Sequence, residues 1–468
     1  MAHPVFLPLR ALGELLHSRQ VSPVELTTTF LDRLEALGPR YNAVVTLTRD
    51  LALAQAREAE ADILAGRYAG PLHGIPYGAK DLLATAGGIP TTWGAAPFRD
   101  RCFDADAAVI RRLRAAGAIL AAKLAMVELA GGMGYRQPDA SLTGPGITPW
   151  DPTRWSGGSS SGSASAVCAG LVPFAIGSET WGSILGPANH CGVAGLRPTF
   201  GRVSRQGAMV LSWSLDKIGP LCLTADDCGL VLEAIAGPDA ADPSTTDRPF
   251  RYQPEPPGRR LRLGVITGVL EGTEAETRRN FETAVRTLAE AATVEEIAIP
   301  PLPYEEITRT ILFGEMGSAF EDLIESGQIA GLTAPEDRYT PYSRMAVLAK
   351  DYIRALRLRG VVAAQMEEAM RGFDALLGPS RPFPSTKLGE EFPSAIRGVG
   401  KDLMGAIGNL VGLPAISVPD GFTEQGVPTG MQFMGRPYEE NAVIAAASLY
   451  QTLTDWHLRR PPDALAGL

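Results

Sequence analysis

Two serine clusters, separated by a patterned apolar segment, are the part of this chain with the clearest chemical potential. The first occupies residues 155–163 (Trp-Ser-Gly-Gly-Ser-Ser-Ser-Gly-Ser) and the second residues 177–184 (Gly-Ser-Glu-Thr-Trp-Gly-Ser-Ile). A serine hydroxyl becomes a nucleophile when a neighbouring group takes its proton, and glycine lets backbone N–H groups approach a ligand closely. The apolar residues between the clusters argue against a flexible Gly/Ser linker. The window therefore indicates either a nucleophilic site or two tight turns on a buried scaffold.

Two serines compete for the role of nucleophile. Ser160 lies in a Gly-x-Ser-x-Gly pattern, but that elbow should follow a strand, and residues 149–154 (Pro-Trp-Asp-Pro-Thr-Arg) are not strand-like. The elbow also needs a late histidine, and the only one, His457, lies in a polar tail. Ser183 follows a predicted strand at 171–176, whose carboxyl end is the usual ligand crevice of an α/β sheet. Ser183 is the better candidate, and a lysine can serve as the base in such sites.

Alternating helices and strands must position these serines. Helices are predicted from Ser22 as N-cap, at 51–66, from Asp106 as cap to about Ala116, at 164–170, 274–291, 342–371 and 440–453, and strands at 74–79, 118–122, 171–176, 261–266, 375–377, 415–418 and 431–434. This alternation predicts a largely parallel sheet. Residues 237–258 are rich in Pro, Asp and Thr. Because strands are predicted on both sides of them, we expect one domain over residues 1–468, with a variable insertion or lid region at 237–345.

Five motifs follow one another along the chain. They are residues 71–76 (Pro-Leu-His-Gly-Ile-Pro) with Lys80-Asp81 following, residues 157–163, residues 178–184, residues 191–199 (Cys-Gly-Val-Ala-Gly-Leu-Arg-Pro-Thr) and residues 412–416 (Gly-Leu-Pro-Ala-Ile). Each motif alone is weak, whereas the ordered set is specific, covers most of the chain and resembles the amidase signature family of hydrolases. The resemblance implies the family's α/β fold, a mixed, largely parallel twisted central sheet covered by helices on both faces.

The resemblance also implies a Ser-cisSer-Lys triad. Ser183 would be the nucleophile, Ser159 the bridging serine in a cis peptide, and Lys80 the base. A free lysine has a pKa of about 10.4, so burial and hydrogen bonds to serines would have to lower it towards about 7–8. Taken alone, Lys80 beside Asp81 would be a surface lysine. The backbone N–H groups that would hold the oxyanion are those of Thr180, Trp181, Gly182 and Ser183.

The nucleophile loop departs from the common family pattern, Asp-x-Gly-Gly-Ser-Ile-Arg, at two positions that bear on the substrate. Leu185 replaces an arginine that pairs with substrate carboxylates in relatives, and Trp181 replaces a glycine. The loss of that arginine favours uncharged substrates, and the Glu-Thr-x-Gly-Ser-Ile form resembles the peptide-amidase branch. The expected substrate-binding residues are Met126, Met133, Gly134, Tyr135, Trp181 and Leu185. Trp181 and the methionines could instead face the core, as Met-rich stretches often do.

Composition argues against several other classes of protein. A net charge of -9 is unlike a nucleic-acid-binding surface, no apolar run approaches the about 20 residues of a membrane span, and no secretory signal is visible. Five cysteines without a CxxC pair predict reduced thiols and a cytoplasmic location. The five histidines lack paired spacing, so we expect no metal and no cofactor.

The sequence therefore predicts a serine amidohydrolase that cleaves neutral amides of small molecules through an acyl-enzyme on Ser183, as a monomer or homodimer. Esters and carbamates (urethanes) are open alternatives, because each presents a carbonyl carbon to the same nucleophile. A second hypothesis is the glutamine-hydrolysing component of a tRNA-dependent amidotransferase complex, against which Leu185 argues. A third, a non-catalytic binding protein, is disfavoured because Lys80, Ser159 and Ser183 are all present.

Overall fold

The computed structural model describes residues 4–254, 258–344, 346–393 and 402–465. Its α-helices are α1 (Leu9–His17), α2 (Pro23–Leu37), α3 (Arg49–Leu64), α4 (Ala108–Ala115), α5 (Ser161–Cys168), α6 (Leu185–Cys191), α7 (Ala225–Ile235), α8 (Ala275–Ala291), α9 (Tyr304–Ala319), α10 (Glu321–Glu325), α11 (Thr340–Arg344), α12 (Ala349–Ala369), α13 (Leu403–Leu410) and α14 (Glu440–Leu453). Its strands are β1 (Val44–Leu47), β2 (Pro76–Lys80), β3 (Ile119–Leu124), β4 (Phe174–Glu179), β5 (Ala194–Arg197), β6 (Lys217–Cys222), β7 (Arg262–Ile266), β8 (Thr293–Ile297), β9 (Ala375–Pro379), β10 (Ala415–Phe422) and β11 (Pro428–Met434).

These strands form one mixed sheet in the order β1-β3-β2-β4-β6-β5-β10-β11-β9-β7-β8. β2 lies parallel to β3 and β4, and β7 lies parallel to β8 and β9. The pairings at β1 and through the middle of the sheet are antiparallel. The predicted α/β class, a mixed sheet flanked by helices, is confirmed, but antiparallel pairs outnumber parallel ones within the described residues. Alternation along the chain cannot reveal which strands become neighbours, and the short β10–β11 connection reverses the chain.

Local sequence signals locate some helix ends well and others poorly. Ser22 caps α2, with its side chain accepting from the N–H of Glu25 while the Glu25 carboxylate accepts from the N–H of Ser22, which is the reciprocal capping box. The prediction that Asp106 caps the next helix is wrong. That helix, α4, begins at Ala108 without a side-chain cap, because the Asp106 carboxylate accepts from the backbone of Ala86 instead.

The single long helix predicted over residues 342–371 is also wrong. The structure has α11 and α12 as separate helices, and Leu348 before α12 is extended, with φ -71° and ψ 139°. Both helices pack against α9. Helix propensity averaged over a long window does not predict such a break between helices, because the break depends on tertiary packing.

The topology brings the two serine clusters and Lys80 together. β2 and β4 are parallel neighbours, with Ala79 opposite Ile176, so Lys80 and the last residues of β4 lie at the same end of the sheet. α5, which begins within the first serine cluster, packs on both strands. Three segments that are distant in sequence therefore converge where two parallel strands end, the usual place for an α/β ligand site.

Across the described ranges, no helix is both long and apolar enough to cross a bilayer. Nor do three or more His, Cys, Asp or Glu side chains of those ranges come together as potential metal ligands. The cysteines are free thiols, with Cys102 exposed and the other four buried.

Candidate active site

Lys80 ends β2 inside the protein, and its amine is enclosed by three serine hydroxyls. The side chain is fully buried, and its Nζ lies 2.8 Å from Ser159 Oγ, 2.9 Å from Ser178 Oγ and 3.0 Å from Ser160 Oγ. A neutral amine has two N–H donors and one lone pair, so it can donate to two of these hydroxyls and accept from the third. The alternative of a surface lysine beside Asp81 is excluded, because Asp81 is itself buried and pairs with Lys123.

Burial sets the protonation state of Lys80. Removal from water lowers the pKa of its amine to about 7, against the opposing effects of the Asp216 and Glu179 carboxylates, which raise it. Desolvation disfavours the charged form of any amine, and here it outweighs both carboxylates. A large fraction of the amine is therefore neutral near pH 7 and can accept a proton.

Ser183 is held beside the first serine cluster by a hydrogen bond of the backbone. The Gly158–Ser159 peptide bond is cis, and the N–H of Ser160 donates to the carbonyl oxygen of Ser183 at 3.3 Å. No hydrogen bond joins the two hydroxyls of Ser159 and Ser183 within the described residues. Catalytic hydrogen bonds are often long in a free enzyme and tighten when substrate binds. The geometry thus provides the first contact of a proton relay, from Lys80 to Ser159, and holds Ser183 beside it.

The Glu179 carboxylate organises the loop that carries Ser183. One oxygen accepts from the backbone N–H groups of Ile184 and Leu185, at 2.9 and 3.0 Å. The other accepts from Arg197, at 2.8 Å, and from Asn409, at 3.1 Å. Burial alone would raise the pKa of Glu179, but the charges of Arg197 and Lys217 and these hydrogen bonds bring it to about 2. A permanently charged carboxylate therefore closes the loop from residue 179 to residue 185.

We expect Glu179→Gln to destabilise the protein by about 3–5 kcal/mol, because it leaves the fully buried Arg197 guanidinium without a counter-charge. Urea denaturation at pH 7 measures the loss. Glu295→Gln is the matched control, since it breaks a half-exposed pair with Arg262 and should change stability by at most about 1 kcal/mol. Equal effects of the two substitutions would contradict the role given to Glu179.

The turn before Ser183 leaves backbone donors available. Gly182 has φ 82°, a left-handed conformation that favours glycine. The backbone N–H groups of Trp181, Gly182 and Ser183 donate to no acceptor in the part of the chain that the structure describes. The hydroxyl of Thr180 donates to Asp216 at 2.5 Å and fixes the start of the turn. Consecutive free N–H groups beside a serine can stabilise a developing oxyanion.

A cavity of about 560 Å³ opens over Ser183. Of the predicted substrate-binding residues, Gly134, Tyr135 and Trp181 line it. Met126, Met133 and Leu185 do not, because their side chains are buried in the hydrophobic core. These three residues therefore do not line this cavity, and their contact with substrate stays a prediction. The other lining residues include Trp155, Gly158, Thr180, His190, Leu211, Glu305, Arg309, Arg381, Phe383, Phe392 and Asp402.

Two charged lining residues that the sequence did not single out touch the nucleophile loop. The Arg381 guanidinium donates to the carbonyl oxygen of Gly182 at 2.8 Å and pairs with Asp402 at 3.3 Å. Asp402 also accepts from the indole N–H of Trp181 at 3.0 Å. A Cβ built on Gly186 would lie 2.7 Å from Arg381 Nε. A guanidinium from another segment thus reaches the loop next to Leu185.

Ser160 and Ser178 are further residues whose role the sequence did not reveal. Ser160 accepts from the N–H of Ser178 at 3.3 Å and donates to its carbonyl oxygen at 3.2 Å. Both hydroxyls also contact Lys80. One signal in the sequence could have indicated this role. The run of three serines at 159–161, together with the serine directly after Gly177, supplies more hydroxyl groups than a catalytic triad needs.

The family model described as Amidase matches residues 25–444 of the chain. A subunit of the glutamyl-tRNA(Gln) amidotransferase of Moorella thermoacetica is 35% identical, with 98% of this chain and 99% of that protein covered. Putative amidase AmiD of Mycobacterium tuberculosis is 37% identical, with 97% and 96% covered. Among solved structures, peptide amidase from Stenotrophomonas maltophilia has a TM-score of 0.85 at 33% identity, covering 97% of this chain and 98% of that chain. A bacterial aryl acylamidase has a TM-score of 0.87 at 25% identity over 100% of both chains.

Proposed function

The chain belongs to the amidase family and is an amide C–N hydrolase, and we propose that it cleaves uncharged amides through an acyl-enzyme on Ser183 without partner subunits. The observation that carries this proposal is the Lys80 amine, buried among hydroxyls with a pKa of about 7. A base of this kind is matched to proton transfer near neutral pH.

The proposed cycle moves one proton out and back. Neutral Lys80 takes the hydroxyl proton of Ser159, and Ser159 takes that of Ser183 as its oxygen attacks the amide carbon. The N–H groups of Trp181, Gly182 and Ser183 stabilise the oxyanion. The proton then returns through Ser159 to the leaving nitrogen as the C–N bond breaks. A water molecule attacks the resulting ester by the same relay, releasing the carboxylic acid and restoring Ser183.

The cavity walls favour uncharged substrates. Tyr135, Trp155 and Phe392 form an aromatic cluster, with ring centroids 5.2 Å apart for Tyr135–Phe392 and 4.7 Å apart for Trp155–Phe392. Arg381 already has a carboxylate partner in the same cavity. An added charge on the substrate would therefore lose hydration without a free counter-ion at this arginine. Esters and carbamates share the reacting carbonyl and remain part of the proposal as alternative substrates.

We also propose that residues 237–345 are a variable insertion that covers the site within a single domain of residues 1–468. Glu305, Arg309, Leu312 and Thr340 from this region line the cavity over Ser183. The insertion would thus contribute to substrate choice, whereas the sheet carries the reacting groups.

The second candidate function, the glutamine-hydrolysing component of a tRNA-dependent amidotransferase, is favoured by the 35% identity to a protein of such a complex over almost the whole chain. Against it stands position 185, where a buried leucine replaces the arginine of the common family pattern. The two functions differ in what the isolated chain can do, because a free hydrolase needs no partner to reach its substrate.

We expect the purified chain to hydrolyse at least one uncharged amide at a rate well above that of L-glutamine. The test is a panel of nitroanilide, anilide, primary amide, ester and carbamate substrates beside glutamine, with product release followed for each. Measuring every substrate with Ser183→Ala as well removes any activity of contaminating enzymes. Hydrolysis of glutamine alone, or turnover only after the other components of an amidotransferase are added, would replace this proposal with the second candidate.

A further inference from the structure

His190 is a buried histidine on the cavity wall that the proposed cycle does not use. It lies in the last turn of α6, seven residues after Ser183, and lines the cavity over that serine. Its side chain is almost fully buried. Its ring packs near Trp155, with centroids 6.0 Å apart. A Cβ built on Gly157 would lie 3.0 Å from its Nδ1, so the ring also borders the first serine cluster.

Neither ring nitrogen of His190 makes a hydrogen bond of good geometry within the described residues, and the one polar group that approaches the ring is the backbone of Phe383, at most a weak partner. Burial, reinforced by the positive charge of Arg381, lowers the pKa of the ring to about 3, although the backbone of Phe383 favours the charged form. The neutral imidazole therefore keeps one N–H donor and one acceptor. Buried polar groups of native proteins are nearly always hydrogen-bonded, and an orphaned one on the wall of an enzyme's cavity calls for an external partner.

The Arg381 guanidinium faces the same cavity and supplies further donors. Its hydrogen bonds to described residues, to Gly182 and Asp402, use two of its five N–H groups. Its charge is already balanced by Asp402 at 3.3 Å, and Glu305 lines the cavity as well. A carboxylate entering here would meet these two acids. An uncharged oxygen acceptor can use the remaining N–H groups without that repulsion.

We propose that His190 and Arg381 form a subsite for a second carbonyl oxygen of the substrate, next to the amide that is cleaved. This rests on the proposed function and specifies its substrate class: amides that carry a further amide or ester carbonyl within a few bonds of the scissile one. Arg381 donates to that oxygen. The N–H of the His190 ring donates to the same carbonyl group, or the other ring nitrogen accepts from an N–H group next to that carbonyl. In either case the substrate supplies the hydrogen bond that the ring lacks.

The test compares two substrates of equal length with wild type and His190→Phe. One substrate carries the second carbonyl, and the other has a methylene group in its place. We expect His190→Phe to lower kcat/KM for the dicarbonyl substrate about tenfold, mostly through KM, which is the worth of one hydrogen bond. Turnover of the methylene analogue should stay within twofold. The melting temperature should not fall, because phenylalanine removes an unpaired polar group from aromatic surroundings.

The matched control is His457→Phe, which also removes a ring with an unpartnered nitrogen but lies outside the cavity lining. It should leave the ratio of kcat/KM for the two substrates unchanged. An unchanged ratio in His190→Phe, together with a raised melting temperature, would make His190 a core residue and overturn the subsite.

A second measurement does not depend on that variant folding or on turnover. In ¹⁵N-histidine-labelled Ser183→Ala protein, the dicarbonyl compound should shift a ring-nitrogen resonance that the methylene analogue leaves in place. Binding of both compounds without any such difference would overturn the subsite. If the wild type hydrolyses no amide, the proposed function fails while this binding comparison still decides the subsite.

Discussion

Replacing Ser183 with alanine should lower kcat for every amide and ester by at least about 10³-fold. The cavity opens over this serine, and the Ser160 N–H holds its carbonyl oxygen beside the first serine cluster. The N–H groups of the turn before Ser183 donate to no acceptor among the described residues. Without the hydroxyl no acyl-enzyme can form, and only binding and oxyanion stabilisation remain. Steady-state kinetics with a chromogenic amide measures the loss, and mass spectrometry of the enzyme quenched during ester turnover locates the acyl group.

Ser163→Ala is the control for this substitution. Ser163 belongs to the first serine cluster and is fully buried, but its hydroxyl donates to the carbonyl oxygen of Ile176 at 3.1 Å and does not contact Lys80. We expect activity within about threefold of wild type and a loss of about 1 kcal/mol in stability. Acylation of Ser160 instead of Ser183, or substantial turnover by Ser183→Ala, would require a different nucleophile.

The elements that hold the site were predictable wherever the chain carries local signals. The last helix, Glu440–Leu453, has its predicted limits, and the strands that carry Lys80 and precede Ser183 were found within a few residues. Such strands show themselves by short apolar runs between Gly- and Pro-rich turns. The order of the motifs predicted the family. The match between residues 25–444 and the Amidase model confirms it.

The neighbours that act across the sheet were not predictable in this way. Arg197 reaches Glu179 from another strand, and Arg381 reaches Gly182 from about 200 positions away in the chain. Nothing local marks a residue for a partner so distant, since hydrogen bonds of this kind depend on the tertiary fold. The direction of Met126 and Met133 was undetermined for the same reason. An apolar side chain in a loop satisfies the sequence pattern whether it faces a cavity or the core.

Lys80→Met should lower kcat/KM for amides by about 10²–10⁴-fold, because it removes the group that accepts the proton from Ser159. A methionine fills similar volume and carries no charge, so the fold should survive. The folded state holds the amine with a pKa of about 7, whereas the unfolded chain binds its proton up to about pH 10.4. Between these values the unfolded state binds more protons, and the stability of the wild type must rise with pH by an amount on the order of 4 kcal/mol.

Lys80→Met lacks that rise, so the difference in unfolding free energy between wild type and variant should move in favour of the wild type from pH 7 to pH 10. Urea denaturation at several pH values measures it, and taking the difference removes the titration of all other groups. Lys350→Met is the control, because Lys350 is exposed and pairs with its neighbour Asp351. A difference that stays constant with pH would mean that Lys80 keeps its proton in the folded protein.

The same proton should govern the pH profile of the reaction. Below pH 7 the amine of Lys80 is protonated and cannot accept from Ser159, so kcat/KM should fall about tenfold for each pH unit as pH decreases. Above pH 7 the neutral form dominates and kcat/KM should reach a plateau. Glu179, which organises the loop, has a pKa of about 2 and stays charged throughout. We assign an inflection near 7 to the buried amine because it accepts the proton from Ser159; Asp216, which accepts from Thr180 and whose pKa is raised by burial, is the other titrating group beside the turn. A flat profile from pH 5.5 to 8.5 would remove Lys80 from the relay while leaving Ser183 to be activated by another base.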